Sequence, residues 1–324
     1  MYPKKTFQFL LAISILAAAG CRKDEREFIP YTPVQENLDL LLEKVPDAST
    51  NSVFQFGGNV VPDTTLTSTS GVRVFLVDTE KLFADENGVA VPCSTCPALR
   101  IEVTTALRKS DFVAHRLPTS TYPDPKMLES VGAVNIRVFC GTNELRLLPN
   151  RYLKVQMPAP TDAHADLRTF VGVLDSEKNV AGWFNTGESA FLAQWPLPNS
   201  GAQQSGYELI VRQTGWSNCA QALTEPSSTF CVKLPPQFTA LNARVFLVFQ
   251  NKNAIAELKG DDTSSTFCFS GAPLGYPVNV VVVGKTGAQY WLANQFTEVG
   301  TNVELTVAPL PLSEQDLINF LKSL

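Results

Sequence analysis

Along much of the chain, apolar side chains return at every second position. Val72, Val74 and Leu76 alternate with Arg73, Phe75 and Val77, and Ile101 and Val103 alternate with Arg100 and Glu102. Val134, Ile136 and Val138 alternate in the same way with Asn135, Arg137 and Phe139. A period of two belongs to a strand with one buried face and one wet or partly covered face. Asp85-Glu86-Asn87-Gly88 and Gly141-Thr142-Asn143 are the turn clusters between such strands. Further strands are predicted at Thr169–Leu174, Tyr207–Gln213, Phe230–Leu234, Arg244–Phe249, Phe267–Ser270 and Val303–Val307. The run Val278–Val283 is apolar on both faces and predicts a central, fully buried strand.

The period changes near both ends of this pattern. Between Pro33 and Val45, Leu38, Leu41, Leu42 and Val45 recur at helical spacing, and Pro46 closes the segment. This predicts a short amphipathic helix, docked on the body or acting as a spacer. Near the C-terminus Ser313 is an N-cap with Asp316 three residues on, and Leu312 and Leu317 staple across it. Leu317, Leu321 and Leu324 then share one face, so a terminal helix packs on the body or stands exposed for a partner. The whole pattern predicts an all-β chain, with two or more β-sandwich domains, a short N-terminal helix and a C-terminal helix. A polar, Pro- and Asp-containing stretch from Thr161 divides it into a first β-domain at 53–160 and a C-terminal β-rich domain at 161–324. No internal repeat is evident.

The first 52 residues have their own logic. Lys4 and Lys5 precede an apolar run, Phe7–Ala19, of roughly a dozen residues, which fits a secretory signal and falls short of the ~20 a spanning helix needs. The run ends in Leu16-Ala17-Ala18-Ala19-Gly20-Cys21. Small residues let a peptidase approach the backbone, and a cysteine just after the cut offers a thiol for lipid. The segment resembles the lipobox of bacterial lipoproteins, with Ala18 where the strictest version has Leu. That resemblance implies a signal peptide at 1–20, cleavage between Gly20 and Cys21, and a lipid anchor (palmitate and related acyl chains) on Cys21. An ordinary signal with a chance cysteine, or an uncleaved anchor, is the competing reading. Several acyl chains together hold a protein stably on a membrane.

Arg22-Lys23-Asp24-Glu25-Arg26-Glu27 is a solvated tether opening the segment 21–52. Lys23, Asp24 and Glu25 resemble the Lys-then-acidic export signal on surface lipoproteins of the Bacteroidota type. This implies an outer-membrane protein whose body faces the outside of the cell. A plain linker facing the periplasm is the alternative.

Composition narrows the partners. About 300 of the 324 residues remain after the signal, enough for two domains or one large β-domain. The 20 Phe, 22 Pro and 19 Gly suit many short strands and turns. With a net charge of −5 and no basic stripe, nothing neutralises phosphates, so nucleic acid is excluded as a partner. Of the 7 cysteines, Cys21 goes to lipid and leaves an even number, which in an exported protein permits disulfides. Cys219 and Cys231 flank one short loop and are the first pair to try. Cys93-Ser-Thr-Cys96 lacks the strand-then-helix setting of a redox pair and reads as a small structural disulfide or two free thiols.

The first β-domain carries a resemblance. Gly57-Gly58-Asn59-Val60, then Asp85 to Gly88 and Leu99-Arg100-Ile101-Glu102-Val103, are spaced like a known bacterial β-domain. Lys109 to Phe112, Leu117-Pro118-Thr119, Met127-Leu128-Glu129-Ser130-Val131-Gly132 and Leu145 to Pro158 continue the match. Together they resemble the module of surface lipoproteins related to the ZU-type β-sandwich of ankyrins and netrin receptors, over about a third of the chain. The resemblance implies an interaction or structural sandwich. The His-Phe-Ser site of self-cleaving members does not occur here, so autoproteolysis is not carried over, and the Pro92–Pro97 loop departs from the pattern. Gly215-Trp216-Ser217-Asn218-Cys219 resembles a signature that follows the module in the same lipoproteins.

Candidate chemistry is sparse. The 2 histidines, His115 and His164, stand in no zinc-ligand spacing; His115 reads as structural and His164 as solvated. No nucleophile elbow, phosphate loop or dinucleotide fingerprint occurs, and no cofactor or metal is implied. Asp261-Asp262 reads as a turn rather than a calcium loop, and Glu80 and Glu102 form a glycosidase pair only if the fold converges them. Among Trp183, Trp195, Trp216 and Trp291, the last two sit beside strands and read as core. Trp183 and Trp195 lie among Gly, Asn and Pro and are the candidates for exposed, ligand-stacking rings, against a packing role. The expected function is therefore non-catalytic: a lipid-anchored envelope protein with an interaction or structural module at the outer surface. Its partner is an unidentified extracellular or envelope protein, or a glycan. The alternative is a surface glycan-binding lipoprotein that uses those tryptophans.

Overall fold

The computed structural model describes residues 33–47, 50–57, 63–159, 166–197 and 201–324. The signal segment, Cys21, the tether with Lys23, Asp24 and Glu25, residues 58–60 and His164 lie outside the described residues. Pro33–Leu324 cluster as one unit.

The described elements are mostly strands, which in chain order begin after the helix α1 (Asp39–Leu42) with β1 (Asn51–Gly57), β2 (Thr64–Thr67), β3 (Arg73–Leu76) and β4 (Phe83–Ala84). Next come β5 (Ala98–Ala106), the helix α2 (Lys109–Ala114), β6 (Leu128–Cys140), β7 (Asn143–Leu147) and β8 (Leu153–Pro158). Then follow β9 (Arg168–Leu174), β10 (Val180–Ser189), β11 (Phe191–Pro196), β12 (Gln203–Val211) and β13 (Gly215–Ala222). The last part holds β14 (Ser227–Lys233), β15 (Ala243–Phe249), β16 (Ile255–Leu258), β17 (Thr266–Pro273) and β18 (Pro277–Thr286). It closes with β19 (Gln289–Glu298), β20 (Val303–Thr306), β21 (Leu310–Leu312) and the helix α3 (Glu314–Lys322).

Four sheets result. The first runs β1-β5-β6-β13-β9-β10, with β7 on β6 and β4 on β7; the second runs β11-β12-β8-β3-β2. The third is β17-β14-β20 and the fourth β16-β15-β18-β19-β21. Among the described strands, pairing is antiparallel except between β14 and β20. The alternation sorts the faces as expected. Val74 and Leu76 of β3, Ile101 and Val103 of β5, Val134, Ile136 and Val138 of β6, and Val155 and Met157 of β8 meet in one core. A separate core joins the third and fourth sheets through Phe230, Val232, Phe267, Val245, Leu247 and Val280.

Between these lies a third core that fixes the two β bodies together. It takes Ala133, Phe170, Trp183 and Ala220 from the first sheet and Phe246, Val248, Val281 and Val283 from the fourth. Phe112 and Val113 of α2 and Leu317 and Leu321 of α3 seal it. β18 therefore points Val280 and Val282 to one core and Val281 and Val283 to another, and all four are fully buried. This is the central strand that its apolar run predicted.

Three expectations about architecture are corrected. The boundary expected between 160 and 161 is not where pairing breaks: β12 pairs with β8 and β13 with β6, so the first two sheets own every strand through Ala222. The polar stretch read as a linker connects two strands of one body. Second, only Asp39–Leu42 of the expected Pro33–Val45 helix is α-helical. Upstream, the Glu36 N–H donates to the Leu241 carbonyl (2.9 Å), and its carboxylate takes Lys285 Nζ (2.6 Å) and the Gly287 N–H (2.7 Å). These contacts hold the chain out of a helix, yet Leu38, Leu41, Leu42 and Val45 are all buried.

The third correction concerns cysteines. The disulfides are Cys96–Cys140 and Cys231–Cys268, while Cys93 and Cys219 are buried free thiols. Strand register decides this. Cys140 pairs with Leu99 at the start of β5, and Cys231 and Cys268 are direct partners across β14 and β17. Cys219 lies in the first core, and Cys93 Sγ donates to the Thr79 carbonyl at 3.2 Å. Burial, with the Glu80 charge, pushes the Cys93 thiol up to about 11, so it is an inert thiol rather than a redox one.

The C-terminal helix forms as predicted. The Asp316 N–H donates to Ser313 Oγ (3.1 Å), and Leu317, Ile318 and Leu321 are buried. Among the described residues no helix is long and apolar enough to cross a membrane.

Candidate functional site

The tryptophans singled out as ligand platforms are not exposed: Trp183 is 0% and Trp195 3% accessible. The packing role weighed against that reading is the one that holds, and the glycines beside the rings are part of it. A Cβ at Gly182 would stand 3.0 Å from the Ser120 carbonyl oxygen, so that glycine marks a close backbone approach inside the fold. The Trp183 indole N–H donates to the Pro118 carbonyl at 2.6 Å. Trp195 lies over Gly206, where a Cβ would meet its Cη2 at 2.5 Å. Glycine here makes room for a ring and does not signal a loop. Trp216 and Trp291, read as core, are partly buried against the second and third cores.

Exposed rings occur at several places, among them Tyr122, Phe184, Phe191 and Phe296, and one of them, Tyr152, stands beside the outer face of the second sheet. Inward residues of β3, β8 and β12 alternate with Arg73, Phe75, Lys154, Gln156 and Glu208 on the outer side. Register sets Phe75 opposite Lys154, Arg73 opposite Gln156, and Gln156 opposite Glu208. Arg73 Nη1 donates to Gln156 Oε1 (2.9 Å), and Gln156 Nε2 donates to Glu208 Oε2 (2.9 Å). Lys154 Nζ lies 3.4 Å from Glu208 Oε2 and 4.2 Å from the Phe75 ring centre, a cation over an aromatic face. Each cation on this face thus has a partner.

Where β3 and β8 end, the face opens into a cavity of about 340 Å³. Phe75 and Tyr152 supply rings, and Val77, Asp78, Asn150 and Arg151 complete most of its wall. Tyr152 is 51% and Val77 59% accessible. Arg151 Nη1 and Asp78 Oδ2 pair at 3.3 Å, and the Asp78 N–H donates to Asp63 Oδ1 at 2.9 Å. Asp78 and Asn150 both adopt left-handed backbone, φ 53° and 64°, which these two residue types tolerate better than most. The cavity offers an exposed ring face beside fixed acceptors and donors, a geometry for binding. Its carboxylate, Asp78, is already ion-paired.

A second charged cluster sits near the junction of the two bodies. Glu257 of β16 is 6% accessible and faces Arg116 Nη2 (3.2 Å), Lys259 Nζ (3.1 Å) and Arg244 Nε (3.8 Å). Burial alone would raise the Glu257 carboxyl, but the three cations outweigh it and hold it below the usual carboxylate range. His115 beside it packs on Trp216 with ring centres 5.5 Å apart, and burial keeps its pKa low against the pull of Asp111.

The other sequence candidates have local work. Asp261 Oδ1 accepts the N–H groups of Thr263 (2.8 Å) and Ser264 (2.6 Å), which makes a turn of it. Glu80 accepts from Ser94 N and Oγ, while Glu102 pairs with Arg100 and Arg137. The two glutamates are not engaged with each other. Among the described residues no group of three or more His, Cys, Asp and Glu could hold a metal ion.

The rings of the exposed cavity were not picked out from sequence. Phe75 carried the one available signal: a large aromatic at the wet phase of an alternating strand. Searched against family models, curated proteins and solved structures, the chain matches none.

Proposed function

We propose that this is a non-catalytic, lipid-anchored protein of the cell envelope, held at the outer membrane by acylated Cys21 with its body at the cell surface. In this reading the first and second sheets form one β-sandwich, which includes the stretch resembling the ZU-type module, and the third and fourth sheets form another. The body acts as an interaction or structural module for an envelope or extracellular partner. The anchor in this reading rests on the lipobox-like Leu16–Cys21, and the observation that carries the module is the shared middle core, where both β bodies and the helical segments near residues 40 and 320 bury side chains together. Such a core makes a stiff block that presents its surfaces in fixed relation, as a scaffold or binding platform requires.

The test is protease shaving of intact cells, with wild type compared to Cys21→Ala and to cells given an inhibitor of the lipoprotein signal peptidase. Shaving of the wild-type body, together with loss of the variant from the envelope, is the expected result. A wild-type body that is lipidated yet survives protease faces the periplasm, and the export role of Lys23, Asp24 and Glu25 then falls. Retention of the Cys21 variant in the membrane would remove the lipid anchor itself.

The second reading, glycan binding, no longer rests on Trp183 and Trp195, which are buried. What favours it is the cavity at Tyr152.

A further inference from the structure

We propose that the cavity bounded by Tyr152, Phe75, Asp78, Asn150 and Arg151 is a carbohydrate site that takes one neutral sugar ring, stacked on Tyr152. The inference rests on reading the body as a binding module, and is independent of where that body is anchored.

Size comes first. A cavity of about 340 Å³ stands at the small end of ligand sites, which run from roughly 300 to 1,000 Å³, and so suits a single ring. Tyr152 is the platform because it is half exposed: Lys154 Nζ sits close over the Phe75 ring at 4.2 Å, whereas the cation over Tyr152, Arg212, is 5.8 Å from its ring centre and held by Glu188 at 2.7 Å. An exposed aromatic face excludes water from the C–H face of a sugar ring while leaving its hydroxyls at the rim.

The polar rim is built for those hydroxyls. Asp78 and Arg151, paired at 3.3 Å, set a carboxylate acceptor beside a guanidinium fork. Adjacent ring hydroxyls both donate and accept, so one such pair meets two of them at once. The ion pair is 46% and 41% accessible on its two sides and keeps hydrogen-bonding capacity toward the cavity.

Charge balance selects the neutral ring. Arg151 is matched by Asp78 and Lys154 by Glu208, so no uncompensated cation waits for a phosphate or uronate. Topology disfavours an extended peptide: β3 lies between β2 and β8, and β8 between β3 and β12. Neither strand offers a free edge for strand addition beside the cavity.

The experiment is a saturation-transfer NMR titration of the full-length protein in a detergent without sugar headgroups. The probes are the methyl pyranosides of glucose, galactose, mannose and N-acetylglucosamine, with glucuronate as the charged arm. At least one neutral probe should saturate on its ring protons with millimolar affinity. Tyr152→Ala should weaken it about tenfold or more, with Tyr152→Phe restoring most of the binding. Asp78→Asn should weaken it as well, and supplies a second route should Tyr152→Ala not fold. The proposal is overturned if no neutral probe binds up to about 50 mM, if Tyr152→Ala and Asp78→Asn bind as wild type, or if glucuronate binds more tightly than every neutral ring. A failed titration leaves the membrane address intact, and a failed shaving experiment leaves the titration intact.

Discussion

Arg116 and Glu257, 141 residues apart in sequence, meet at 3.2 Å with side chains only 14% and 5% accessible. Arg116 follows α2 and Glu257 lies in β16, so the pair bridges the two β bodies. Removing the cation leaves a buried carboxylate with Lys259 and Arg244 alone. Arg116→Met is expected to destabilise by about 2–3 kcal/mol, below the roughly 3–5 seen when a buried charge loses its sole partner. Urea unfolding gives the number, and an unchanged midpoint would show that the pair contributes nothing.

The same carboxylate makes stability depend on acid. Its pKa is lower in the fold than in the open chain, so its contribution is complete above the ordinary glutamate value of about 4.3. The contribution drains away as pH falls from there through the depressed folded value. Glu257→Gln is therefore expected to flatten the pH dependence of the unfolding midpoint below pH ~4.3, relative to wild type. Parallel curves for the two proteins would refute the linkage.

Peptide mapping without reductant is expected to recover Cys96 joined to Cys140 and Cys231 joined to Cys268, with Cys93 and Cys219 alkylated only after unfolding. The bridges span 44 and 37 residues, so opening either one should destabilise by about 4 kcal/mol on loop-closure grounds. A Cys219–Cys231 peptide would contradict the strand register directly.

What the sequence disclosed follows from locality. Alternation in 72–77, 100–103 and 134–139 was readable because each strand buries one face. The stapled cap at Ser313 was readable because its partners lie within a few residues. The disulfides were not, since Cys140 reaches Cys96 only through the β5–β6 register, which no spacing rule supplies. The break after Ala222 was hidden for the same reason: β13 returns to β6 across about half the first body. The sequence leaves Trp183 between stacking and packing because glycine marks both loops and tight backbone contacts, and the Ser120 carbonyl beside Gly182 decides for packing. In the candidate cavity, Phe75 stood out of phase in its strand, whereas Tyr152, Asp78 and Asn150 sit at strand ends that periodicity does not describe.

Packing around the two buried tryptophans gives another expectation. Trp183→Phe removes the donor to the Pro118 carbonyl and leaves that buried acceptor unpaired, a loss of about 1–3 kcal/mol. Gly206→Ala places a methyl 2.2 Å from the Met157 carbonyl oxygen, and should lose about 1–3 kcal/mol through overpacking. Thermal unfolding of both variants measures this, and wild-type midpoints would mean that the rings are not packed as described.

The middle core also sets a timetable. Leu38, Leu41 and Leu42 are synthesised early, yet they pack with Val281, Val283, Leu317 and Leu321, which are synthesised last. Lys44 is ion-paired with Glu314, 270 residues downstream. The first apolar stripe of the body therefore completes its packing only when the last strands and the terminal helix have been delivered. Contacts of such long range form slowly and leave hydrophobic surface open in the meantime. While those last elements are missing, part of this stripe lies open to solvent.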